Sequence, residues 1–240
     1  MRLLRRSPGR LMARRAPVLA VLAAAALSHP AFGPGPGRAG SASAQEYPTA
    51  SAWFSEVARS VLSLETYQAS FRQTPRWVAV DTESEAWLGT IYLKRPAFFR
   101  IEYTKPEGHL QVCDGTTVFT YVPESGEVLA SRLAEDAGGA DLLRWILEKG
   151  EAIGMLEEEA FEGRRAWKIR ISPPPGTGLA SMLLWTVPEK PEILQYEMTD
   201  SSGNRNVYRL TEVRRNPPLS ADLFRFTPPP GVPVIELGTP

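Results

Sequence analysis

The sequence predicts a mainly β protein with a few helices: one antiparallel sheet and two helices packed on its apolar face. Three observations carry this reading. Glu85 to Tyr103 (EAWLGTIYLKRPAFFRIEY) alternates with period two on both sides of Pro96. Successive side chains of a strand point to opposite faces, so this is the pattern of two strands with one side buried. Further strand-like runs follow one another through short turn clusters without interleaved helices, which makes an antiparallel sheet. Only two stretches carry helical spacing, and the apolar face of the sheet is the one place for them to go.

The chain opens on an export segment. Residues 1–16 carry Arg2, Arg5, Arg6, Arg10, Arg14 and Arg15 and no acid, and Ala16 to Leu27 is a 12-residue apolar run. A bilayer span needs roughly 20 residues, so this run fits the core of a signal peptide. Ala42-Ser43-Ala44 offers a cleavage site before Gln45, although a cut after Ser28 or Gly33 also fits the long Pro/Gly approach. Arg14-Arg15 reads as an ordinary basic n-region, with a twin-arginine signal as the alternative. Residues 1–44 are therefore assigned to export, and 45–240 to a single domain in the periplasm.

The exported part would carry 20 basic against 27 acidic residues, a net charge of −7. That makes nucleic acid an unsuitable partner. Cys113 is the sole cysteine, so no disulfide can form within the chain and no cysteine stands near the signal end for lipid modification. A soluble monomer is expected.

In chain order, Ala50 to Leu62 places Trp53, Phe54, Val57 and Val61 at helical spacing with polar residues opposite, an amphipathic helix. Tyr67 to Gln73 reads as the first strand. After the pair around Pro96 come Leu110 to Cys113 and Thr117 to Val122, joined at Asp114-Gly115, a hairpin signal. Pro123 to Gly126 makes a turn. Ala140 to Glu148 (ADLLRWILE) reads as the second helix, with Asp141 in its first turn and Lys149-Gly150 at its end. The strands Ala166–Ile171, Ser181–Val187, Glu192–Thr199 and Asn206–Val213 complete the sheet.

The period places Trp87, Ile91, Leu93 and Arg95 on one face, continued by Phe99, Ile101 and Tyr103. Phe98, Arg100, Glu102 and Thr104 are expected to face mostly water. Arg95 is the anomaly, a guanidinium at the end of an apolar row. It must find acceptors there, because a buried charge left without its partner costs about 3–5 kcal/mol. An arginine at the rim of an apolar face suggests a latch. Each apolar residue of the row is equally a candidate for plain core, since sheet face and cavity wall read alike in sequence.

These residues resemble the LolA family. Tyr67-Gln68-Ala69-Ser70-Phe71-Arg72-Gln73 is similar to its F-x-A-x-F-x-Q segment, and Gly89 with Leu93-Lys94-Arg95-Pro96-Ala97-Phe98-Phe99-Arg100 to its glycine and K-R-P-x-x-F core. Lys105-Pro106, Val112-Cys113-Asp114-Gly115 and Phe119 with Tyr121-Val122-Pro123 resemble the run that follows. Asn216 and Phe224-Arg225-Phe226-Thr227-Pro228-Pro229-Pro230-Gly231-Val232 resemble the tail. Cys113 stands where serine is common, Phe119 where tryptophan is, and the tail has an extra proline.

The resemblance implies a half-open antiparallel β-barrel with a helical lid over its concave apolar face. It implies a periplasmic carrier that shelters the acyl chains of lipoproteins. The partners would be an inner-membrane lipoprotein-releasing transporter (LolCDE-like) and an outer-membrane acceptor (LolB-like). Arg95 would hold the lid closed through backbone acceptors, and Trp87, Ile91, Leu93, Phe99, Ile101 and Tyr103 would line the lipid site. A carrier or sensor of another lipid, a glycolipid or phospholipid, is the alternative. The acceptor of this fold is itself a lipoprotein, a role that the missing N-terminal cysteine disfavours.

Signals for other chemistry are weak. His109 is the one histidine left after export, and Cys113 lies four residues on; neither has partners at metal-site or dyad spacing. Glu157-Glu158-Glu159 reads as a solvated acidic face. No G-x-S-x-G, phosphate loop or H-E-x-x-H occurs, so no enzyme, metal or cofactor is expected.

Overall fold

The computed structural model describes residues 48–79, 85–133, 142–188 and 190–237. The expected signal segment lies outside them. Among the described residues, twelve strands form one open sheet: β1 (Thr66–Arg76), β2 (Trp87–Lys94), β3 (Phe98–Lys105), β4 (Leu110–Asp114), β5 (Thr117–Val122), β6 (Glu127–Arg132), β7 (Glu151–Phe161), β8 (Arg164–Ser172), β9 (Leu179–Thr186), β10 (Ile193–Asp200), β11 (Arg205–Arg215) and β12 (Val234–Glu236). Their order is β12-β6-β5-β4-β3-β2-β1-β11-β10-β9-β8-β7. Every pairing is antiparallel except β12 with β6, which is parallel. The sheet thus remains open, with β7 and β12 as its edges.

Two helices, α1 (Ala50–Leu62) and α2 (Leu142–Lys149), lie on one face, the inner one. Thr49 caps α1 by accepting from the Ala52 N–H at 3.1 Å. α2 ends one residue later than expected; Ala140 and Asp141 lie outside the described residues. The main core gathers Trp53, Phe54 and Val57 of α1, Ile146 and Leu147 of α2, and inner-face residues of β1 and β8–β11. Trp53 meets Trp167 edge to face at 4.8 Å and donates its indole N–H to Thr186 Oγ1 at 2.8 Å. That satisfies the one polar atom the ring takes into the core.

Registers explain two of the sequence signals. Tyr67 pairs with Leu93, Leu93 with Phe99, and Phe71 with Gly89, so the inner row runs continuously across β1, β2 and β3. A Cβ at Gly89 would stand 2.2 Å from the Glu102 carbonyl oxygen and 2.7 Å from the Phe71 ring. Gly115 turns the β4–β5 hairpin at φ +98°, while Asp114 Oδ1 accepts from the Thr116 and Thr117 N–H groups.

Three strands escape the sequence reading. β7 carries Gly154 at φ +78° and a register shift between Ile153 and Glu157, which breaks its alternation. β6 escapes although it is as long as β5, and β12 spans only 3 residues. The outer face also differs from expectation. Phe98 packs on Phe224, and Arg100 donates to the Leu223 carbonyl at 3.2 Å and bonds Glu102 at 2.6 Å. The C-terminal segment, through a 3-10 turn at Ala221–Phe224, covers this side of β3 and β4, and Phe226 stacks on Phe119 of β5. Phe98 and Arg100 do not face water because a segment more than a hundred positions away lies over them, while Thr104 is exposed as expected.

Candidate functional site

An apolar cavity of about 910 Å³ opens between the end of α1, the length of α2 and the β2–β3 corner. This is near the top of the range of roughly 300–1,000 Å³ for small-molecule sites. Val61, Leu62 and Leu64 wall it from α1 and its exit, Leu143, Trp145 and Leu147 from α2, Leu93, Ala97 and Phe99 from the corner, and Ile193 and Val213 from β10 and β11. Tyr67 borders it too; burial, with Glu192 adding to it, pushes the phenol well above its usual pKa, so it stays neutral.

Arg95 borders the cavity at the corner. Its Nε donates to the Leu64 carbonyl at 2.8 Å and its backbone N–H to the Glu65 carbonyl at 2.9 Å. Leu64 and Glu65 join α1 to β1. Asn216 closes this junction from the other side. Its Oδ1 accepts from the Glu65 and Thr66 N–H groups, and its N–H donates to the Thr66 carbonyl. Arg95 also lies where the carbonyl end of α1 carries partial negative charge. From α2, Arg144 Nη1 donates to the Pro96 carbonyl at 2.8 Å while its Nε bonds Glu148 Oε1 at 2.8 Å.

Of the residues singled out in the sequence, Leu93, Arg95 and Phe99 border the cavity. Ile91, Ile101 and Tyr103 stand farther along β2 and β3 and pack against the main core. Burial pushes the Tyr103 phenol up to about 12. Trp87 stands edge-on to Tyr103 at 5.7 Å and to His109 at 6.1 Å, at the other end of the row. Sequence reasoning did not single out Arg144 and Trp145 as wall residues. The available signal was a lone cation inside the apolar run LLRWIL of the second helix.

The other candidates have structural partners. His109 Nε2 lies 2.7 Å from Glu124 Oε2, at the end of β4 away from Cys113. Cys113 is buried, which pushes its thiol pKa up. Glu157 and Glu159 of the acidic triplet grip Lys168 of β8 at 2.7 and 2.8 Å, and Glu158 lies 3.9 Å from Arg165. Among the described residues, no group of three His, Cys, Asp or Glu could hold a metal ion, and no helix is long and apolar enough to cross a membrane.

An open β-sheet with a largely apolar cavity beside two helices, bordered by arginines bonded to backbone carbonyls, makes a site shaped for an apolar ligand. The profile of the family described as outer membrane lipoprotein carrier protein LolA matches residues 62–227. The protein belongs to the LolA family. Relatives named outer-membrane lipoprotein carrier protein include one from Methylococcus capsulatus, 30% identical over 72% of this chain and 83% of its own length. Another, from Nitrosomonas europaea, is 30% identical over 71% and 82%. A solved structure of an uncharacterized conserved protein from Thermus thermophilus superposes with a TM-score of 0.50 at 19% identity, covering 77% of this chain and 97% of that one. Lipoprotein carriage is the role these relationships support.

Proposed function

We propose that this protein carries lipoproteins through the periplasm, without catalysis, after removal of its export segment. It takes them from an inner-membrane releasing transporter and passes them to an outer-membrane acceptor. The observation that carries this reading is the cavity beside the Lys94-Arg95-Pro96 corner. Its walls are largely apolar with a polar rim, and polar contacts from Arg95 and Arg144 supplement the apolar packing of the helices. Exposing an acyl chain of about 15 carbons to water costs on the order of 12 kcal/mol at roughly 0.8 kcal/mol per methylene. A carrier must therefore supply apolar surface and hide it when empty, since large exposed apolar patches aggregate. Closure by a few polar contacts meets both needs, because cargo must be able to reverse it for a few kcal/mol.

In this reading Arg95 keeps the end of α1 seated at the cavity, and Leu93, Phe99 and Tyr67 contact acyl chains. Ile91, Ile101, Tyr103 and Trp87 extend the apolar row beyond the mouth. The test has two parts. Protein purified from its native host should retain acylated proteins, identified by mass spectrometry. Depletion should strand lipoproteins in the inner membrane or periplasm. Retention of free phospholipid alone, with normal outer-membrane sorting after depletion, would replace this reading by the carrier of another lipid.

A further inference from the structure

The inner apolar row ends, away from the Arg95 corner, on a buried amide whose hydrogen bonds are not all made. Gln73 of β1 is only 6% exposed and shares the inner face with Phe71. Its Nε2 donates to Asn206 Oδ1 at 3.0 Å, and its Oε1 is buried without a partner among the described residues. Whichever way the two amides are turned, one terminal atom of Gln73 is left over. Buried polar atoms of this kind are exceptions in folded proteins and lower stability.

The neighbours of Gln73 have the same want. Gln73 pairs with Trp87 on β2 and with Tyr208 on β11. Tyr103 meets both Phe71 and Trp87 edge to face, at 5.4 and 5.7 Å, and Phe71 also lies against Tyr208. Trp87, Tyr103 and Tyr208 are partly exposed, so the group is reachable from the concave side. Among the described residues, neither phenol hydroxyl nor the Trp87 indole N–H has a hydrogen-bond partner, although buried rings of these kinds usually find one. Burial keeps both phenols protonated. His109, edge-on to Trp87 and Tyr103, is committed to Glu124, so the group offers hydrogen bonds and ring faces rather than a free charge.

We propose that this end of the inner face is a second subsite, built by Gln73, Trp87, Tyr103 and Tyr208, that takes a neutral, hydroxyl-bearing head group. A hydroxyl donates and accepts, so it meets the Gln73 amide in either orientation and the phenols and indole as well. The subsite is distinct from the cavity at the corner: Trp87 and Leu93 are six residues apart on β2, about 20 Å at roughly 3.3 Å per residue. Two sources supply such a group, the sugar of a glycolipid or a serine beside the acylated cysteine of a lipoprotein. The subsite stands on the geometry of the sheet; the choice between the sources rests on the carrier reading.

Isothermal titration of the exported protein tests the subsite with two eight-carbon amphiphiles. Octyl glucoside carries hydroxyls; dimethyloctylphosphine oxide has the same tail and a neutral head that only accepts. Gln73→Leu and Tyr208→Phe should each weaken the glucoside about tenfold, the upper size of one lost hydrogen bond, and leave the phosphine oxide unchanged. Tyr208→Phe deletes a single oxygen, and it decides the matter should Gln73→Leu fail to fold. Nuclear Overhauser contacts should run from the glucose protons to the Trp87 and Tyr208 rings. No glucoside bound by the unmodified protein, equal effects on both amphiphiles, or glucose contacts confined to Leu93 and Phe99 would each overturn the subsite.

A dipalmitoylated lipopeptide with serine after its cysteine, compared with the alanine form, separates the sources. A preference for serine of about tenfold, abolished in Gln73→Leu, assigns the subsite to lipoprotein cargo. Equal binding of both peptides beside the glucoside effect assigns it to a glycolipid. The glucoside effect with no lipopeptide bound by any form leaves the subsite standing and sinks the carrier reading; lipopeptide binding without a glucoside effect does the reverse.

Discussion

The two halves of the sheet differ in which face carries the larger buried set. Strands β8–β11 and β1 build the main core inward, under α1 and α2, with a smaller cluster of Ala166, Trp185 and Leu194 apart from it. Strands β3–β6 bury Phe99 and Cys113 inward but Val112, Val128 and Ala130 outward, in the region where Phe224 and β12 lie. On the inner side of β2 and β3, Ile91, Leu93, Ile101 and Tyr103 are only partly buried. A sheet needs one covered face to be stable, and which face is covered decides what the other is free to do. Covering the outer face of β3–β6 frees part of the inner face from structural duty. The cavity forms near the boundary between the two halves, where the helices end and the corner begins.

That comparison predicts that two distant aromatics matter equally for stability and unequally for binding. Trp53→Ala and Phe224→Ala should each cost about 3–5 kcal/mol in urea unfolding, since both rings are buried to within a few per cent. Below the unfolding transition, Phe224→Ala should keep its affinity for a lipopeptide and Trp53→Ala should lose it. Loss of affinity in both would break the division of labour.

Gly89→Ala probes the seam. Its Cβ would meet the Glu102 carbonyl and the Phe71 ring at distances no side-chain rotation relieves. Overpacking of this kind costs typically about 1–3 kcal/mol. Calorimetry should show a fall in Tm; an unchanged Tm would mean that β2 and β3 can separate locally without consequence.

The smallest stability effect belongs to Arg95, whose loss should cost under about 3 kcal/mol because the junction keeps its other bonds. Its functional effect should be larger. Arg95→Leu adds apolar surface at the corner, so a loaded carrier should release cargo to acceptor membranes more slowly, with Arg95→Lys between. Arg170→Leu, exposed on β8, is the control; Arg100 cannot serve, since it holds Leu223 and Glu102. Equal transfer by all variants would reduce Arg95 to a structural bond.

Local periodicity was enough to read α1 over its whole span, β2 and β3 on either side of Pro96, and the β4–β5 hairpin at Gly115. Each depends on neighbours in the chain and on the backbone geometry they prefer. Arg95 was legible for the same reason: a charge at the end of an apolar row is conspicuous in any strand. β7 was not, because one bulge at Gly154 erases a period of two, and β12 was too short to have a pattern. What covers the outer face, which of the inner apolar residues reach the cavity, and the bond from Arg144 to Pro96 depend on contacts between residues 48 to more than 100 positions apart. A one-dimensional pattern shows that a face must be buried or a guanidinium must be bonded. The partner is decided only when folding brings distant segments together, because burial and hydrogen bonding depend on proximity in space rather than on order in the chain.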